Sequence, residues 1–126
     1  MACPFFVPRA PLSGFSDIYG GTCAAQAGAT IHDGLLENCC NNGYARSECP
    51  RAAQSESDAY RFMIKAHTNG VVEVAWSSER NHHPVAVGVV SVCADAAAQT
   101  PLEQQARVYA AAFLQQSGLD ALPLLR

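Results

Sequence analysis

Apolar and polar residues alternate most regularly in the middle of the chain. Tyr60-Arg-Phe-Met-Ile-Lys-Ala-His67 puts Phe62, Ile64 and Ala66 on one face of a strand. Val71-Val-Glu-Val-Ala-Trp76 does the same for Val72, Val74 and Trp76. Thr68-Asn69-Gly70 between them marks a hairpin. A two-residue Asn-Gly turn pairs Ile64 with Ala75 and sets Phe62, Ile64 and Ala66 on the face of Glu73. A three-residue loop with Gly70 in the left-handed conformation pairs Ala66 with Val72, Ile64 with Val74 and Phe62 with Trp76. That register unites both apolar faces and is the one expected. Val85 to Val92 is apolar on both faces, which predicts a third strand that is central or well covered. Gly88 inside it predicts a bulge or a close backbone approach.

Beyond the strands the period changes to that of a helix. Thr100-Pro101-Leu102-Glu103 supplies an N-cap, a first-turn proline and a glutamate in capping-box position. Leu102, Ala106, Tyr109, Ala110 and Phe113 form one apolar stripe, and Gly118 ends the helix. A shorter helix is expected from Asp33, its N-cap, to about Cys40, with Asn41-Asn42-Gly43 as the stop. Residues 1–53 otherwise show little periodicity. The pattern thus predicts a single domain over 1–126, with a Cys-bearing lobe (1–53) set against a regular body (54–126). The fold class expected is α+β: a three-stranded antiparallel meander packed on a C-terminal helix, with an irregular Cys-rich N-terminal lobe.

Composition narrows the function. With 126 residues, 49% of them hydrophobic, a core can form without a metal or disulfide as its only support. The formal charge is −3 with eight Lys and Arg and no basic run, which argues against nucleic acid or an acidic membrane as partner. Met1 to Pro11 has no basic leader, and prolines interrupt its apolar stretch, so it does not read as a signal peptide. Val85 to Ala94 is too short to span a bilayer and reads as a buried strand. A cytoplasmic location is the expectation, and a reducing compartment disfavours structural disulfides.

This bears on the six cysteines: Cys3, Cys23, Cys39, Cys40, Cys49 and Cys93. None forms Cys-x-x-Cys, so zinc knuckles and a thioredoxin-type motif are poorly supported. A spread set on turns and a helix end suits a site assembled from loops. Iron–sulfur clusters need four thiolates and tolerate irregular spacing. Gly20-Gly21 before Cys23, and Gly43 between Cys40 and Cys49, suit backbone N–H groups turned toward sulfides. Cys3-Pro-Phe-Phe, Tyr19-Gly-Gly-Thr-Cys23 and Cys40-Asn-Asn-Gly-Tyr-Ala-Arg-Ser-Glu-Cys49 together resemble small uncharacterised bacterial proteins. Their pattern is Cys-x-x-Phe, Tyr-x-Gly-x-Cys, then Cys-Asn-x-Gly-Tyr-Ala and a final Cys. The resemblance runs through Asp58-Ala-Tyr-Arg-Phe62 and the Glu79 to Pro84 stretch, from position 3 to about 88. It implies Cys40 rather than Cys39 as the fourth member, since Asn follows Cys40, and leaves Cys93 outside.

The expected function is a small metalloprotein holding an iron–sulfur cluster, [4Fe-4S] in the first instance, through Cys3, Cys23, Cys40 and Cys49. It would serve electron transfer, redox sensing or complex assembly with a redox protein partner, rather than catalysis. Zinc is the alternative metal. Free cysteine also behaves as a small buried hydrophobe. The rival reading is therefore a cofactor-free interaction module with buried thiols, and disulfides stand as a further option. Cys39 and Cys93 read as packing residues. If Ile31, Leu35 and Cys39 form one stripe of the short helix, Cys39 faces the core, and Cys40, about 100° away, faces the site. His82-His83 near Glu79 have the chemistry of a metal or proton site, yet a polar loop before a strand commonly holds such residues. His32 is a substitute ligand by its position. Ser13, Ser16 and Ser117 lie in no nucleophile-elbow context. Arg46 and Arg51 flank Cys49, where they can neutralise an anion or form surface ion pairs.

Overall fold

The computed structural model describes residues 2–11, 18–25, 31, 34, 36–93 and 98–116. β1 (Phe6–Pro11) and β2 (Tyr19–Cys23) pair as a two-stranded antiparallel sheet. β3 (Ala59–Thr68), β4 (Val71–Arg80) and β5 (His83–Val92) form a three-stranded antiparallel sheet in that order, and α1 (Pro101–Gln116) follows. A three-stranded meander packed on a C-terminal helix is thus the architecture of the chain.

The β3–β4 hairpin satisfies two demands at once. Asn69 and Gly70 both take positive φ, 53° and 78°, as a two-residue turn matched to strand twist requires. Thr68 then pairs with Val71, and Ala66 pairs with Glu73, not with Val72 as the three-residue loop predicted. One extra residue, Lys65, bulges from β3 between Ile64 and Ala66. Beyond it Ile64 meets Val74 and Phe62 meets Trp76, the pairs expected from the apolar faces. The turn follows local chemistry and the bulge returns the strand to the register its core face needs.

Val72, Val74 and Val92 meet Ala106, Ala110, Ala111 and Leu114 of α1 in the body's core, and Phe62, Ile64, Val90 and Phe113 pack around them. Thr100 caps α1: its Oγ1 accepts the Glu103 N–H at 3.1 Å and lies 3.1 Å from the Glu103 carboxylate. The buried face of α1 is broader than the expected stripe. Gln105 and Val108 are buried, while Tyr109 is 38% exposed. The reason is that α1 serves two sheets. Gln104 Nε2 donates to Pro8 O at 2.8 Å, and Gln105 Nε2 donates to Cys3 O and Phe6 O at 2.9 and 2.8 Å.

β5 corrects another expectation. It is an edge strand, neither central nor well covered, and Val85, Val87 and Val89 are 61%, 74% and 48% exposed. Gly88 is the close approach foreseen: a Cβ there would lie 2.8 Å from the Trp76 ring, and Trp76 is its cross-strand partner. The residues 1–53 are less irregular than their composition suggests, since β1 and β2 form a hairpin. Pro8 and Pro11 obscure that strand in the sequence. Of the expected short helix, a π-helical turn spans Leu36–Cys40, closed by Asn41 N donating to Leu36 O at 3.0 Å. Asn42 and Gly43 donate to Cys39 O, so the turn stops where expected. Asp33, His32, Leu35, Ser13, Ser16, Ser117 and Gly118 lie outside the described residues. No helix among the described residues is long and apolar enough to cross a membrane.

Candidate functional site: the thiol cavity

The lobe has its own core, built of Cys3, Phe6, Leu36, Cys39, Ala45 and Ala52, with Phe5, Tyr19, Ile31, Cys40 and Cys49 packed on it. Four segments deliver the sulfurs. Cys3 precedes β1, and its N–H donates to Cys40 O at 3.0 Å. Cys23 ends β2 and pairs with Phe6. Cys39 and Cys40 end the π-helical turn. Cys49 follows a turn in which its N–H donates to Ala45 O at 2.8 Å. Asn41 locks two of these pieces together. Its Oδ1 accepts Tyr19 N–H at 2.9 Å, while its Nδ2 donates to Tyr19 O at 3.0 Å and Leu36 O at 2.8 Å.

The structure therefore brings Cys3, Cys23, Cys40 and Cys49 together, and Cys39 with them. All five border one cavity with Phe5, Phe6, Ala45, Arg51 and Ala52. Cys39 and Cys40 do not divide between core and site, because the wider π-helical turn lets both reach the same space. Cys93 stands apart at the end of β5. None of the six is in a disulfide.

The expected iron–sulfur cluster, and with it the zinc alternative and the electron-transfer role, is corrected here. Among the described residues no group of three or more Cys, His, Asp or Glu side chains is disposed to hold a metal ion. The cavity measures about 10 Å³, room for no more than a single water. Burial pushes the Cys40 thiol up to about 12, with Cys3, Cys23, Cys39 and Cys49 adding to it. Burial likewise raises Cys3 and Cys39. These sulfurs are packed as neutral thiols, filling the lobe as small apolar side chains do.

Cys49 differs from the rest. Burial would raise its pKa, but the N–H groups of Ala52 and Arg51 and the Arg51 guanidinium outweigh that and lower it. Arg51 hydrogen-bonds Cys49 and also feels Cys23 and Cys40. Arg46, by contrast, is structural: it binds the Asp58 carboxylate and the carbonyls of Ala53 and Ser55.

His82 and His83 form no metal site with Glu79. Asn81 and His82 make the β4–β5 turn with φ of 53° and 65°, and His82 stacks on Tyr44 at 4.5 Å. Glu79 is buried and accepts from Tyr44 Oη at 2.6 Å and Arg61 Nε at 3.0 Å. These bonds hold its carboxyl below the usual range. Asp58 accepts Asn81 N–H at 2.9 Å beside Arg46. This seam ties the lobe to the sheet, and sequence reasoning missed it, along with the Asn41 clamp. Asn41 had been legible only as a helix stop.

Comparison with known protein families, with curated proteins and with solved structures finds no match for the chain.

Proposed function

We propose that the protein is a cofactor-free, cytoplasmic module with a thiol core that acts through contact with another protein chain. The observation that carries the reading is that five unbridged cysteines border one small cavity, with no arrangement among the described residues able to hold a metal ion. Packed thiols suit a reducing compartment, where they stay unbridged. The resemblance to small bacterial proteins sharing these cysteines then concerns a shared lobe core. The acidic balance and lack of a basic run favour a protein partner over nucleic acid.

The contact surface lies on β5. It is ten residues long, lies at the sheet edge and exposes Val85, Val87 and Val89, with Met63 65% exposed on β3. A long apolar edge invites strand addition, and a two-fold axis sets identical strands antiparallel. A second copy, joined β5 to β5, is the partner this edge fits. Two measurements test the reading. Iron and zinc analysis of anaerobically purified protein should give far less than one metal per chain, and stoichiometric metal would refute the cofactor-free half. Sedimentation should show a dimer that Val87→Lys with Val89→Lys converts to monomer, whereas a monomer at every concentration would refute the partner.

A further inference from the structure

We propose that Cys49 is an oxidation site, at which a hydroperoxide is reduced and a second thiol of the same cavity closes a disulfide. This rests on the cofactor-free reading, since only unligated sulfurs are open to oxidation. Three features of the lobe converge on it.

The first is access. Cys49 is partly exposed and lies between the exposed Glu48 and Pro50, whereas Cys3, Cys23 and Cys39 are buried. The second is the donor set at its sulfur: the N–H groups of Arg51 and Ala52 and the Arg51 guanidinium. Such donors favour thiolate, the form that attacks peroxides. The groups facing it include Arg51 and the other cavity thiols, with Glu48 acting on Cys39 in the opposite sense. The third is the resolving thiols: Cys3, Cys23, Cys39 and Cys40 border the same cavity, the first three buried and Cys40 partly so.

The chemistry balances in two steps. The Cys49 thiolate attacks the terminal oxygen of the hydroperoxide, an S–O bond forms, the O–O bond breaks, and the other oxygen leaves as alkoxide, which is hydroxide when the oxidant is hydrogen peroxide. Sulfur is thereby oxidised to the sulfenic acid and the peroxide reduced. A neighbouring thiol then attacks that sulfur, an S–S bond forms, the S–O bond breaks, and the departing hydroxide takes the thiol proton as water. A small dithiol reverses the second product by exchange.

The experiment uses the full chain, with its metal content measured first. Site-resolved alkylation by iodoacetamide across pH should show Cys49 reacting severalfold faster than Cys93 near neutrality. Hydrogen peroxide with a sulfenic-acid trap should label Cys49, and without the trap should give a disulfide from Cys49 to a cavity thiol. Arg51→Met should slow Cys49 severalfold and move its pH midpoint upward, and Arg51→Lys should restore part of the rate. A Cys49 no faster than Cys93, or an Arg51→Met profile identical to wild type, overturns the oxidation site in metal-free protein. Metal bound through the cysteines would overturn both this inference and the reading beneath it.

Discussion

The body and the lobe each bury a core of their own and use different chemistry to do it. In the body, Val72, Val74, Ala106, Ala110 and Leu114 are fully buried and inert. In the lobe, Cys3, Cys23 and Cys39 take the same role beside Phe6 and Leu36, and hydrogen bonds from Asn41 and Gln105 hold the segments in place. A periodic core needs only its pattern to assemble. A core gathered from short turns needs specific polar clamps, and its small side chains leave it chemically open. The body sets the shape and the lobe carries the reactivity.

The largest effect is expected from excavating the body. Leu114→Ala should cost about 2–5 kcal/mol, because Leu114 has no exposed surface and leaves a cavity. Chemical denaturation measures it, and Cys49 alkylation below the transition should be unchanged. Asn41→Ala strikes the lobe instead. Losing three hydrogen bonds should cost about 2 kcal/mol, and the alkylation of Cys3, Cys23 and Cys39 should accelerate more than global unfolding does. Equal acceleration of Cys93 would show that the two regions open as one.

The seam between the regions is sensitive to acid. Glu79 is held low by Arg61 and Tyr44, and Asp58 by Asn81 N–H and Arg46 against the opposing effect of burial. A folded pKa below the unfolded value gives stability that is present above the ordinary carboxyl pKa of about 4. That stability is lost as pH falls through the lowered values. Melting temperature should therefore drop steeply below about pH 4, and Glu79→Gln should flatten the drop. The smallest effect is at the β3–β4 turn. A Cβ at Gly70 meets nothing within 4 Å, so Gly70→Ala carries only the strain of φ 78°, about 1 kcal/mol by denaturation.

The body was legible because each strand and α1 repeats its pattern long enough to outweigh local detail. The register at Ala66 was missed where the Asn69-Gly70 turn preference and the core face disagree by one residue, a conflict that a bulge at Lys65 resolves. β5 was misread because five valines spread over both faces look buried, although only one face meets α1. In the lobe, the gathering of Cys3, Cys23, Cys40 and Cys49 was legible from their turns and glycines. Their geometry was not, since residue spacing fixes neither where a sulfur points nor how much space lies between sulfurs. Prolines hid β1, and the Tyr44–Glu79–Arg61 network joins residues too far apart in sequence to be paired by pattern.

On the cofactor-free reading the lobe stands on packed thiols and polar clamps, with no metal required. Refolding from denaturant under strong reductant and chelator tests it directly, followed by thermal melting and alkylation of Cys3, Cys23 and Cys39. The original melting temperature and the original protection of those three thiols should return. A chain that recovers the β3–β5 sheet and α1 but leaves the lobe thiols open until iron or zinc is added would contradict it.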